Sequence, residues 1–293
     1  MMGKVLILGG TRYFGKRLVN QLLKNGNHQV TVATRGLTKA EFDGPVDHLI
    51  MDRNEESSLV EAARSGYWDL VFDNICYSPD EALAATTAFD GYVGKYILTS
   101  TLSVYDFGKS PLVESDFDPY VYDLKRGGRS DFSYGEGKRQ AEAAFFQKAN
   151  FPVSAIRIPI VLGPDDYTRR LHFHVERVMQ GTPIGISNLE AEMSYITSEE
   201  AADFLLWLGG TSLTGPINAC SNGSIALGGL LEMIESIVGK KAIVAENSKQ
   251  EDESPFGVPT SWIMDTAKAQ AAGYNFTTLS DWLPHLISQI AEG

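Results

Sequence analysis

Apolar and polar positions follow two distinct rhythms along the first third of the chain. Lys4-Val-Leu-Ile-Leu8 is a short unbroken apolar run, the pattern of a strand buried on both faces. After the turn Gly9-Gly-Thr-Arg-Tyr-Phe-Gly15, Leu18, Val19, Leu22 and Leu23 recur at helical spacing, and Gly26 stands where that helix should end. Further strands are predicted at Gln29–Ala33, His48–Met51, Asp69–Phe72 and Lys95–Leu98, then a helix from Tyr134 to Ala149 and a strand at Val153–Ile158. Strands alternating with helices imply right-handed crossovers and a doubly wound parallel sheet. Beyond Gly163-Pro164 the rhythm breaks into short helical segments at 170–180, 199–208 and 226–238 with turn-rich joints.

The turn after the first strand gives this α/β pattern a chemical meaning. A strand-to-helix turn gathers backbone N–H groups and the positive end of the helix at one point, where a pyrophosphate can sit. Gly9 and Gly15 hold the outer positions of the dinucleotide fingerprint, and Arg12 replaces the middle glycine. The expected architecture is therefore a Rossmann-type dinucleotide-binding domain over residues 1–165. A smaller α/β substrate lobe follows over 166–293, with the chain free to cross back between the two. The cofactor-binding candidates in the turn are Gly9, Thr11, Arg12, Tyr13, Phe14 and Gly15.

NAD usually needs an acidic residue at the end of the second strand for its ribose. Here that strand ends Ala33-Thr34-Arg35-Gly36, with no acid. Arg35 and Arg12 suit a 2′-phosphate instead, so NADP(H) is the preferred cofactor and NAD(H) the alternative. Asp52, beside Arg53, either accepts the adenine amino group or caps a turn; both residues are cofactor-site candidates.

Two Tyr-x-x-x-Lys pairs occur. Tyr105 to Lys109 crosses Gly108 and runs into Ser110-Pro111, which reads as a loop. Tyr134 to Lys138 opens a helix, and positions i and i+4 share one face, so the ammonium can stand near the phenol. Moving a tyrosine from about 10 toward 7 takes roughly 4 kcal/mol of differential stabilisation. A phenol so placed can exchange a proton with a substrate oxygen while a nicotinamide exchanges hydride. Gly135 and Gly137 each cost about 1 kcal/mol in a helix, which is tolerable if the first turn lies against the cofactor.

These segments resemble the extended short-chain dehydrogenase/reductases of the NAD-dependent epimerase/dehydratase type, over nearly the whole chain. Leu98-Thr-Ser-Thr-Leu-Ser-Val-Tyr105 is similar to the family's strand with a catalytic hydroxyl four residues before a tyrosine. The resemblance implies that Thr101 orients the substrate oxygen, that Tyr105 is structural, and that Tyr134 and Lys138 are the catalytic pair. It also implies that Arg157-Ile-Pro-Ile-Val-Leu-Gly-Pro164, with Pro159, passes the nicotinamide. The stretches Met193 to Glu200 and Met264 to Tyr274 resemble the family's later strand and its C-terminal end. A homodimer through a helix pair that includes the Tyr/Lys helix is implied in the same way.

The departures narrow the chemistry. Dehydratases of the family carry Asp-Glu after the catalytic threonine, where this chain has Leu102 and Ser103, which argues against dehydration. Sugar-nucleotide epimerases place an arginine at the position of Met193, and its absence puts a nucleotide-sugar substrate in doubt. Arg169 and Arg170 are either its substitutes or solvated helix-end arginines. The residues around Asp123 to Ser130, including Lys125-Arg-Gly-Gly-Arg129, read as a mobile loop at the rim of the site.

Composition closes off other classes. The 293 residues carry a net charge of −12 and 43% hydrophobic residues, which argues against nucleic acid as a partner because phosphate-backbone binding relies on Lys and Arg. The two cysteines, Cys76 and Cys220, lack metal-like spacing, so no metal is expected and buried thiols in a reducing compartment are. No apolar stretch approaches the roughly 20 residues that span a bilayer, and a cytoplasmic location is expected. The leading function is an NAD(P)-dependent oxidoreductase or epimerase acting on a hydroxyl or ketone carbon of a small molecule, such as a sugar derivative. One alternative is a non-catalytic NADP(H)-sensing module, although such modules lack the Tyr/Lys pair. The other is RNA binding, since the Gly-Gly-Thr-Arg turn is similar to that of chloroplast stem-loop-binding relatives.

Overall fold

The computed structural model describes residues 3–245 and 249–293. Seven strands form one all-parallel sheet. β1 (Gly3–Leu8) is buried on both faces from Val5 onward, as its unbroken apolar run requires. α1 (Tyr13–Asn25) buries Leu18, Val19 and Leu22 and stops at Gly26, whose left-handed conformation lets its N–H bond the Leu23 carbonyl. β2 (His28–Thr34), β3 (Asp47–Ile50), α2 (Glu56–Arg64), β4 (Trp68–Asp73), α3 (Pro79–Ala88) and β5 (Val93–Thr101) follow. α3 starts on Ser78, whose side chain accepts from the Glu81 N–H, with Pro79 in the first helical position. α4 (Tyr134–Lys148) is capped in the same way by Ser133 onto Glu136 N–H and leads to β6 (Val153–Ile158).

The second lobe then begins. β7 (Ile160–Leu162), α5 (Arg170–Gln180), β8 (Pro183–Gly185), β9 (Glu192–Met193) and β10 (Tyr195–Thr197) follow, the strands among them forming two-stranded pairings outside the main sheet. α6 (Ser198–Gly209) packs back on α1, and β11 (Gly215–Asn218) pairs in parallel with β6. The sheet order is thus β11-β6-β5-β4-β1-β2-β3, the doubly wound arrangement extended by a strand from the C-terminal half. α6 and β11, both beyond residue 165, belong to the first lobe's layers, so the chain crosses back between the lobes. β12 (Ile225–Ala226), α7 (Leu227–Val238), β13 (Ile243–Ala245), α8 (Ala267–Ala271) and α9 (Leu279–Glu292) complete the chain.

One face of the sheet packs on α2, α3 and α4 through residues such as Leu6, Leu98, Ala141 and Phe145. The other packs on α1 and α6 through Ile7, Leu18, Ile97 and Phe204. α5, α7 and α9 close around a separate core that includes Val175, Leu231 and Ile287. The lobes meet above the C-terminal ends of the strands, where ligands bind in such sheets. Among the described residues, no helix is long and apolar enough to cross a membrane, and no three metal-ligating side chains gather.

Candidate active site

The turn between β1 and α1 is built for close approach. Gly9 has φ +83°, and a Cβ on it would stand 2.5 Å from Ile75 Cγ2. A Cβ on Gly15 would stand 2.6 Å from the Gly9 carbonyl, so the first turn of α1 can touch the strand end only without a side chain. Arg12, at the helix start, provides no side-chain cap, and the first turn holds no acidic residue. The first-turn N–H groups therefore point out unclaimed, which is the polarity an anion needs. Arg12 reaches the loop after β2, donating to Thr38 Oγ1 at 3.3 Å, and Arg35 is exposed on that same loop.

Beside the turn lies a cleft of about 270 Å³ between the sheet's strand ends and the second lobe. Of the residues singled out in the sequence, Tyr13, Phe14, Thr101, Tyr134, Lys138 and Pro159 line it. Tyr134 is 56% exposed and its ring tilts toward that of Tyr77, with centroids 6.3 Å apart. Lys138 is the opposite, 2% exposed, with its ammonium donating to the carbonyls of Cys76 at 2.7 Å and Thr99 at 2.6 Å. That same ammonium lies 5.1 Å from the Tyr77 ring centre. An ammonium has three N–H donors, so one is left over for a ligand. Thr101 ends β5 and holds the turn that follows, accepting from Ser103 N–H at 3.1 Å and donating to Ser103 Oγ at 3.3 Å.

α4 reaches this position because its first turn is free of side chains where the backbone crowds it. A Cβ on Gly135 would lie 2.5 Å from the Ser103 carbonyl, and one on Gly137 would lie 2.5 Å from the Tyr77 carbonyl. The two glycines thus answer to protein backbone, the loops after β5 and β4. Beneath them Glu142 and Arg157, both fully buried, form an ion pair at 2.7 Å. Ser100 Oγ donates to Glu142, and Arg157 donates to Tyr105 Oη and to the carbonyls of Glu114 and Phe117. Tyr105 in turn donates to Asn218 at 2.6 Å and is a core residue; Lys109 pairs with Asp116. The Tyr105–Lys109 pair is therefore not at the cleft.

Two expectations need correction. Arg53 does not reach the cofactor corner: it is buried and paired with Asp73 at 2.7 Å, beside Glu81. Its neighbour Asp52 caps a turn, Oδ1 accepting from the Asn54 N–H at 2.9 Å. The segment from Asp123 to Ser130 is tied down rather than free. Lys125 N–H donates to Gln140, Arg126 pairs with Asp80, and Arg129 bonds Glu81 and the Ile75 carbonyl while lying 4.4 Å over the Tyr77 ring.

Sequence reasoning missed Asn74, Tyr77, Asp166, Tyr167, Thr168 and Trp262, all of which line the cleft. Asn74 and Tyr77 follow β4 directly, and the rule that ligands sit at strand C-termini pointed to them. Trp262 carried no local signal. Burial pushes the Tyr77 phenol up to about 12 and the Cys76 thiol up to about 11, so neither ionises near neutrality.

The fold as a whole is shared with solved structures. UDP-glucuronic acid 4-epimerase from Bacillus cereus, solved with UDP-glucuronic acid and NAD, superposes with a TM-score of 0.75, covering 99% of each chain at 17% identity. The two share a Rossmann-like α/β fold with a seven-stranded parallel sheet in this chain. Among curated proteins, the chloroplast stem-loop binding protein of 41 kDa b from Arabidopsis thaliana is 27% identical over 221 residues, 70% of this chain. The match spans only 55% of that relative's own length. UDP-glucuronic acid decarboxylase 3 from the same plant is 25% identical over 80% of this chain and 74% of its own. No family model matches the chain. Met193 is buried and lines the cleft, so an apolar thioether stands there.

Proposed function

We propose that the chain is an NAD(P)-dependent oxidoreductase or epimerase that acts on a hydroxyl or ketone carbon of a small molecule. The observation that carries this reading is the convergence of Thr101, Tyr134 and Lys138 on one cleft beside the uncapped start of α1. The named activities of the similar epimerases and decarboxylases agree with it. In this reading Gly9, Thr11, Tyr13, Phe14 and Gly15 receive the pyrophosphate of the dinucleotide. Pro159 flanks its nicotinamide, and the third N–H of Lys138 meets the nicotinamide ribose. Bound there, the dinucleotide would accept or supply the hydride. Tyr134 Oη takes up or returns the proton of the reacting oxygen, and Thr101 Oγ1 orients that oxygen. Leu102 and Ser103 supply no further acid–base pair, which disfavours dehydration. A homodimer through the α4 helix pair belongs to the same reading.

NADP(H) remains the preferred cofactor. Arg12 and Arg35 share the corner after β2, no acid ends that strand, and Asp52 keeps one oxygen for the adenine. The NAD bound in the similar structures makes NAD(H) the alternative, and fluorescence titration with NADH and NADPH separates them.

The decisive experiment pairs that titration with Tyr134→Phe. Cofactor affinity should hold within about twofold while turnover falls by roughly 10²–10⁴; unchanged turnover removes Tyr134 from the chemistry. A second reading, RNA binding, is favoured by the similarity to the Arabidopsis stem-loop binding protein and opposed by the charge of −12. Filter binding at two salt concentrations decides it, since phosphate-driven affinity falls steeply with salt.

A further inference from the structure

The second-lobe wall of the cleft carries polar groups that the hydride chemistry does not use. Asp166 is 4% exposed and lines the cleft. Its Oδ1 accepts from the Thr168 N–H at 2.9 Å and from Thr168 Oγ1 at 2.6 Å. Its Oδ2 is buried with no hydrogen-bond partner among the described residues. A carboxylate oxygen is an acceptor only and is costly to bury unpaired.

Arg170 lines the same cleft at the start of α5. Its neighbours are committed, Arg169 to Glu176 and Arg177 to Asp252. Arg170 makes no ion pair among the described residues. Trp262 also lines the cleft; its ring rests on Phe107 with centroids 4.5 Å apart, and its indole N–H is buried without an acceptor. Arg170, Asp166 and Trp262 thus line one cleft, and the last two each carry a buried polar atom without a partner among the described residues.

Charge limits what can fill it. The cationic side chains lining the cleft are Lys138 and Arg170, and Lys138 is held at the sheet side by two carbonyls. Near the second lobe Arg170 is, among the described residues, the one cation of the cleft wall and shares it with Asp166, which is too little positive charge for a diphosphate. A single carboxylate suits it better, since a guanidinium can grip one through two parallel bonds.

We propose that this wall is the subsite for a polyhydroxylated carboxylate, a sugar acid carrying no nucleotide. Arg170 pairs with its carboxylate, Asp166 Oδ2 accepts from one of its hydroxyls, and the Trp262 indole N–H donates to another of its oxygens. The proposal rests on the reading of the cleft as a hydroxyl-oxidising site.

Calorimetric titration, with and without NADP⁺, tests it using D-glucuronate, D-galacturonate, D-glucose, glucose 1-phosphate and UDP-glucuronate. At least one uronate should bind roughly tenfold or more tighter than glucose, a difference of about 1.4 kcal/mol. Arg170→Gln should erase that preference, Arg170→Lys should recover part of it, and both should bind NADPH as the parent protein does. Asp166→Asn should weaken the uronate but leave cyclohexanecarboxylate unchanged. Equal binding of glucose and uronates, no uronate binding, or tighter binding of the sugar phosphate or nucleotide sugar overturns the proposal. Failure of NADPH to bind while uronates still discriminate would sink the dinucleotide reading instead.

Discussion

On the sheet side of the cleft each side chain proposed for the chemistry is held by backbone: Lys138 by two carbonyls, Thr101 by the turn it caps, and Tyr134 by a helix start wedged between two loops. On the second-lobe side Asp166 Oδ2 and the Trp262 indole N–H have no partner among the described residues. The contrast separates two tasks. Groups that move protons gain from being fixed before the ligand arrives. Groups that recognise a ligand must leave bonds unmade until it does.

The sharpest way to break the comparison is to loosen the sheet side from below. Glu142→Ala strands the Arg157 charge in the core, and removing one partner of a buried pair costs about 3–5 kcal/mol. Urea denaturation should show that loss; a decrease under about 1 kcal/mol would mean that the pair does not hold the sheet side. The second-lobe side is better probed by acid. His174 sits in the second turn of α5, stacked on Phe256 and bonded to the Arg170 carbonyl and Ser254 Oγ. Burial holds its pKa down at about 4, against an ordinary 6.5. Between those values the unfolded chain binds a proton that the folded one refuses. His174 thus contributes its stability in full above pH 6.5, and that contribution is lost as pH falls toward 4, by roughly 3 kcal/mol in total. Melting temperatures of the parent and His174→Gln, compared at pH 7 and 4.5, should converge at the lower pH; parallel declines would discount the histidine. The smallest effect belongs to the seam. Gly137→Ala pushes a methyl into the Tyr77 carbonyl, an overpacking cost of about 1–3 kcal/mol. Because α4 must shift to relieve it, turnover should suffer more than thermal stability. Intact turnover would show that the fit of the helix start does not matter.

The same division explains what could be read in advance. Strands and helices of the first lobe were legible because each is signalled by its own residues: the apolar run of Val5 to Leu8, the helical spacing of Leu18 to Leu23, the stop at Gly26. The glycine turn and the Tyr134–Lys138 spacing are local patterns too. Arg53 was misplaced because neighbours in sequence can face opposite ways; Asp52 caps a surface turn while Arg53 points inward to Asp73. The role of Gly135 and Gly137 was hidden because their neighbours, Ser103 and Tyr77, are distant in sequence. Asp166, Met193 and Trp262 meet across almost a hundred residues, and no periodicity announces such a meeting. The segment around Arg129 looked free because its glycines and charges suit a loop, whereas Asp80, Glu81 and Gln140 anchor it.

During synthesis the parallel sheet stays open for as long as β11 is missing. β6 presents unpaired backbone N–H and C=O groups along Val153–Ile158 until the chain has been extended through Asn218. At about 5–20 residues per second, the delay is on the order of 3–12 s. A bare apolar strand is a template for pairing with a second nascent chain, so a fragment ending near residue 165 should clump rather than fold. Once β11 docks, the opposite border is β3, only four residues long, with Asp47 and His48 exposed. A short charged border of that kind discourages aggregation, so the finished protein sheds a hazard that its own ribosome-bound precursor carries.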